Sequence, residues 1–99
     1  MTSEAKTESL FVVQLFIAGD SEQTKAVRDR VIRFAEAALM KPHRVEIIDV
    51  LANPDVADIA RILVTPTLVI RAPNTERRLV GDLSDVAKLQ LVLTEDGLD

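Results

Sequence analysis

From Leu10 to Ala18 the chain is apolar except at Gln14, rich in β-branched and aromatic residues, and the run stops at Gly19. That pattern predicts a strand buried on both faces, as in a sheet covered by helices. Asp20 then stands where an N-cap would, with Gln23 three residues on, and Val27, Val31, Phe34 and Ala38 follow at helical spacing. A helix from about Ser21 to Met40 is expected, ended near Pro42. Val45 to Val50 reads as a second strand. Asn53-Pro54, a capping residue followed by proline at the first helical position, opens a second helix whose Val56, Ile59, Ala60 and Leu63 share one face.

Crossovers of this length imply that the first two strands pair in parallel, with a right-handed connection. After Thr65-Pro66 come Thr67 to Ile70, the turn-like Ala72-Pro73-Asn74-Thr75, and Arg77 to Val80, which together predict a hairpin. Asp82 or Ser84 is placed to cap a last helix ending near Leu93. Its stripe of Leu83, Val86, Leu89 and Leu93 is helical, yet Leu89, Leu91 and Leu93 also alternate as a strand would. The order βαβαββα is that of the thioredoxin fold, an α/β mixed sheet with helices on both faces. Residues 10–93 read as one domain, with loose ends at 1–9 and 94–99.

Composition narrows the chemistry. The 99 residues, 47% hydrophobic, suffice for one core, and aromatics are only 3%, with Phe11, Phe16 and Phe34 the largest pieces. A net charge of −4 disfavours a nucleic-acid partner. The chain has no cysteine, which removes disulfides, thiolate metal sites and thiol redox chemistry, and its lone His43 cannot build a metal site by itself. No cofactor and no metal are expected. No apolar run of about 18 residues occurs, and residues 1–9 do not read as a leader, so a cytoplasmic protein without membrane contact is expected. Glu22, Asp29, Glu36 and Glu46 lack a convergent base or nucleophile, which argues against an enzyme.

Four stretches carry a resemblance: Leu15-Phe16-Ile17-Ala18-Gly19; Ile48-Asp49-Val50-Leu51 with Asn53-Pro54; Ile62-Leu63-Val64-Thr65-Pro66-Thr67-Leu68; and Arg77-Arg78-Leu79-Val80-Gly81-Asp82-Leu83-Ser84. In order and spacing they resemble the signature stretches of the KaiB family, over roughly Leu10 to Leu93. The resemblance implies a non-enzymatic timing regulator that docks on KaiC, a RecA-like ATPase ring, and modulates its phosphorylation and ATPase cycle. It also implies competition there with a thioredoxin-like histidine-kinase sensor domain, and oligomers, dimer or tetramer. The family is metamorphic, so the alternative fold is its ground state, βαββααβ. The chain departs from the family in keeping only Pro73 of a proline run, and in carrying Val92 and Thr94 where well-studied members have Gly and Asp. A redox-inactive adaptor in stress response or signalling, binding another partner such as a histidine kinase, is the rival reading.

By this resemblance the partner-binding residues are Asp58, Arg61 and Ile62 on the second helix. Asp58 and Arg61 would equally suit a solvated i,i+3 pair worth a few tenths of a kcal/mol. Gly19, Pro66, Pro73, Gly81 and Asp82 are expected to set the fold. Pro66 stands where the thioredoxin fold holds a cis-proline, although proline at a strand start needs no such explanation. Gly81-Asp82 would permit the exit from the last strand and cap the helix behind it. Arg77-Arg78 would suit a patch for an acidic partner, but reads first as edge-strand charge that blocks aggregation.

Overall fold

The computed structural model describes residues 11–39, 43–73, 75–81, 83, 88 and 89. Strand β1 (Phe11–Ile17) leads into helix α1 (Glu22–Ala38), then β2 (His43–Asp49), α2 (Pro54–Ile59), β3 (Thr67–Ala72) and β4 (Thr75–Val80). The sheet runs β2-β1-β3-β4. Strand β2 pairs with β1 in parallel, Leu15 opposite Ile47. Strands β1 and β3 run antiparallel with Leu15 opposite Leu68, and β3 and β4 antiparallel with Leu68 opposite Leu79.

Alternation along the strands divides the sheet into two faces. One face carries Phe11, Val13, Leu15 and Ile17 of β1 with Leu68 and Ile70 of β3. These join Val31, Ala35 and Leu39 from the α1 side, with Leu83 and Leu89, in one apolar cluster. Val13, Leu15, Leu68 and Ile70 are completely buried there. Helix α1 supplies this packing because its apolar residues recur at helical spacing: Val27, Phe34 and Ala38 close over the cluster beside the buried Val31 and Ala35.

The opposite face is mixed. Phe16, Thr67 and Val69 are buried on it, whereas Gln14, Arg44, Glu46, Arg71, Glu76 and Arg78 also fall on it by register. Expected burial of β1 on both faces therefore holds only at Phe16, since Val12 and Gln14 are half-exposed.

Local capping differs in detail from the sequence reading. The N-cap of α1 is Ser21 and not Asp20, because the Ser21 hydroxyl accepts from the Thr24 N–H at 3.2 Å. Helix α2 is also shorter than the apolar stripe suggested. It stops at Ile59, leaving Leu63 beyond its end. Thr65-Pro66 is a cis peptide. The expected last helix, Asp82 included, lies outside the described residues except for the buried Leu83 and Leu89 and the exposed Lys88, the latter two helical.

Candidate functional site

Helix α2 is the element on which the partner residues were expected, and its environment is built from both ends. At its start Asn53 occupies the N-cap position and Pro54 the first turn, but the Asn53 side chain makes no cap. Its Nδ2 donates instead to the Asp49 carbonyl at 3.0 Å. The Asp49 carboxylate accepts from the backbone N–H groups of Gly19 and Leu51, each at 3.0 Å. One side chain thus ties the end of β1 to the turn leading into α2. The Gly19 N–H, followed by that of Leu51 and supported by Ala52, holds the Asp49 carboxyl below the usual carboxylate range, with desolvation opposing. Gly19 presents its N–H this way at φ +78°, a conformation that costs a side-chain-bearing residue.

At the other end the chain leaves α2 through a Schellman motif. The Ile62 N–H donates to the Ala57 carbonyl at 2.9 Å and the Arg61 N–H to the Asp58 carbonyl at 3.0 Å. Arg61 therefore sits just past the helix, at φ +59°, in the left-handed position that glycine usually fills. Placing it on the helix, as the sequence suggested, is corrected by this geometry. Asp58 and Arg61 meet through the backbone, and among the described residues no ion pair joins their side chains. Both are exposed, while Ile62 is half-buried.

The apolar stripe turns outward. Ala57 is buried, but Ile59 is 83% and Leu63 93% exposed, with Val56, Val64 and Val80 also open to solvent. Val56, Ile59, Leu63 and Val64 lie close together in the chain, and apolar side chains exposed in one contiguous patch mark an interaction site. Beneath Val56, Ile59 and Ala60 lies an open groove of about 420 Å³ floored by Gln14, Phe16 and Arg71. Arg78 closes the C-terminal end of α2: its guanidinium donates to the Ala60 carbonyl at 2.6 Å and the Arg61 carbonyl at 3.4 Å. This cation on helix-end carbonyls is favourable both as a hydrogen bond and against the helix dipole.

Besides Gly19 at the Asp49 carboxylate, the residues expected to set the fold fall in two places, with Asp82 outside the described residues. The Gly81 N–H, at φ +96°, donates to the Pro66 carbonyl at 3.1 Å, so the exit from β4 is bound to the loop before β3. Pro73 is exposed at the hairpin turn. Two side chains at the ends of α2 escaped the sequence reading. Asp49 lay in a quoted stretch without an assigned role, and Arg78, read as edge charge, grips α2. Among the described residues no three or more His, Cys, Asp or Glu side chains converge as metal ligands, and no helix is long and apolar enough to cross a membrane.

The parallel β1–β2 pair, the β3–β4 hairpin and the cis-proline before β3 define a thioredoxin-like domain. Solved structures agree. The N-terminal domain of Synechococcus elongatus SasA superposes with a TM-score of 0.63 at 20% identity, over 86% of this chain and 80% of that one. The thioredoxin Deadhead of Drosophila melanogaster gives 0.66 at 18%, over 93% and 90%. In sequence, residues 14–95 match the KaiB domain. The circadian clock protein KaiB3 of Synechocystis sp. is 37% identical over 82 residues, 83% of this chain and 80% of that protein. The circadian clock oscillator protein KaiB of Synechococcus elongatus is 32% identical over 83 residues, 84% and 81%. The chain belongs to the KaiB family of circadian clock proteins.

Proposed function

We propose that this protein is a non-enzymatic KaiB-type regulator that docks on a KaiC-type RecA-like ATPase ring and modulates its phosphorylation and ATPase cycle. Docking uses the end of α2: Arg61 supplies the charge, Asp58 flanks it, and Ile62 sets the backbone turn that projects Arg61. The observation that carries this reading is the outward display of Ile59, Leu63 and Arg61 in a chain whose KaiB-domain match spans residues 14–95. An exposed guanidinium flanked in the chain by exposed apolar side chains fits an interface, where arginine is enriched and a few residues carry most of the energy. The cysteine-free sequence supports binding over thiol chemistry.

The test is co-purification and size-exclusion chromatography with the KaiC-type ATPase of the same organism, in ATP or ADP, with Arg61→Glu as the variant. Nucleotide-dependent complex formation that is lost on charge reversal is expected. The absence of a complex in both nucleotide states would overturn the reading in favour of a redox-inactive adaptor whose partner is another protein, such as a histidine kinase.

A further inference from the structure

The polar side chains on the α2 face of the sheet form one continuous row across all four strands. It begins at Arg44 on β2, whose Nε meets Glu46 Oε2 at 2.9 Å. Gln14 Nε2 on β1 donates to Glu46 Oε1 at 2.9 Å, and Arg71 Nε on β3 donates to Gln14 Oε1 at 3.1 Å. Arg71 Nη1 donates to Glu76 Oε1 on β4 at 2.7 Å, and Arg78 Nε donates to Glu76 Oε2 at 3.0 Å. Arg78 then spends its two remaining nitrogens on the carbonyls of Ala60 and Arg61.

Every link is complementary. Each carboxylate gives one oxygen to each neighbour, and the Gln14 amide, accepting with its oxygen and donating with its nitrogen, joins the two halves. Gln14 and Glu46 are direct cross-strand partners, as are Arg71 and Glu76, so the sheet register itself brings them together. Isolated surface pairs hold little, but a row in which each group is oriented by the next behaves as a unit.

Apart from the Asp49 clip before its start, helix α2 is otherwise weakly held. It has six residues and one buried side chain, Ala57, and it turns Ile59 to solvent. Apolar packing alone does not account for its position. We propose that the Arg44–Glu46–Gln14–Arg71–Glu76–Arg78 row is a polar strap that sets the position of α2, coupling the edge strand β2 to the end of the helix through β4 at the opposite edge of the sheet. Arg78 is the positioning residue at the point of contact, and Gln14 is the central joint. Whatever α2 binds, its presentation then depends on residues as far away as β2, and the idea stands independently of the partner proposed above.

Hydrogen exchange of the full-length protein, resolved over residues 54–62, tests this. Arg78→Met keeps the apolar stem but removes all three contacts, and the Ala60, Arg61 and Ile62 amides should exchange faster, on the order of tenfold. Glu46→Leu, which lies outside the groove beneath α2 and touches neither Arg78 nor α2's carbonyls, should accelerate the same amides by a smaller factor, about two- to fivefold. Amides of α1 should keep their wild-type rates in both. Unchanged α2 exchange in either variant, or an equal rise in α1 and α2, would overturn the strap.

Discussion

The two faces of the sheet are held by different physics. On the α1 face, completely buried Val13, Leu15, Leu68 and Ile70 interlock with Val31 and Ala35, and stability comes from area removed from water. On the α2 face, among the described residues, only Phe16, Thr67, Val69 and Ala57 are buried, and the helix is tied down by Asp49 at one end and Arg78 at the other. Hydrogen bonds at an exposed helix end are individually modest and directional, whereas a packed core is strong and insensitive to direction. A protein that must keep its shape while presenting an adjustable surface can assign those tasks to opposite faces, and here Ile59 and Leu63 stand on the side that packing does not lock.

The contrast is broken most forcefully in the α1 core. Leu15→Ala should destabilise the fold by about 3 kcal/mol in chemical denaturation, through lost burial and the cavity left behind. A loss below about 1 kcal/mol would mean that the α1 face is not the main source of stability.

The junctions come next. Gly19→Ala should cost about 1–2 kcal/mol, because φ +78° is unfavourable for alanine while the added methyl would meet Leu51 Cδ1 only at an ordinary 3.7 Å. Arg61→Gly should act in the opposite direction, stabilising by about 0.5–1 kcal/mol as the left-handed residue loses its side-chain penalty. If Arg61 serves binding, that gain is accompanied by a weaker complex, the pattern of a residue kept for function at some cost to the fold.

The Asp49 clip gives a pH signature. Its carboxyl is lowered in the folded state, so its contribution is present above the unfolded value of about 4 and is lost as pH falls through the lower folded value. Acid unfolding curves below pH 4 should therefore be shallower in Asp49→Asn than in the wild type, with the variant less stable at neutral pH. The smallest effect belongs to the exposed stripe: Ile59→Ala and Leu63→Ala should each change stability by no more than about 0.5 kcal/mol.

Much of this was legible in the chain. The apolar run around Leu15, the helical spacing of Val27, Val31 and Phe34, and the Thr65-Pro66 position follow from local periodicity and element order, which depend on near neighbours. The extent of α2 was not, because Val56, Ile59 and Leu63 repeat as a buried helical stripe does. Only the Schellman exit at Arg61 and the outward turn of Ile59 distinguish display from burial. Arg78 and Asp49 were not legible in their roles either. Arg78 reaches Ala60 across 18 positions and Asp49 reaches Gly19 across 30, so neither partner is visible in a local window. Arg77-Arg78 read as one basic pair, but strand alternation sends them to opposite faces, and Arg78 meets α2. Asp82 and the period of the last segment lie outside the described residues.

We propose that the α1 face carries stability and the α2 face recognition. This division is tested most directly by titrating the KaiC-type ATPase with the Ile59→Ala, Leu63→Ala double variant and measuring that variant's unfolding free energy alongside. Binding should weaken at least tenfold, with stability within about 1 kcal/mol of wild type. Wild-type affinity in the double variant, or a loss of binding matched by unfolding, would contradict it.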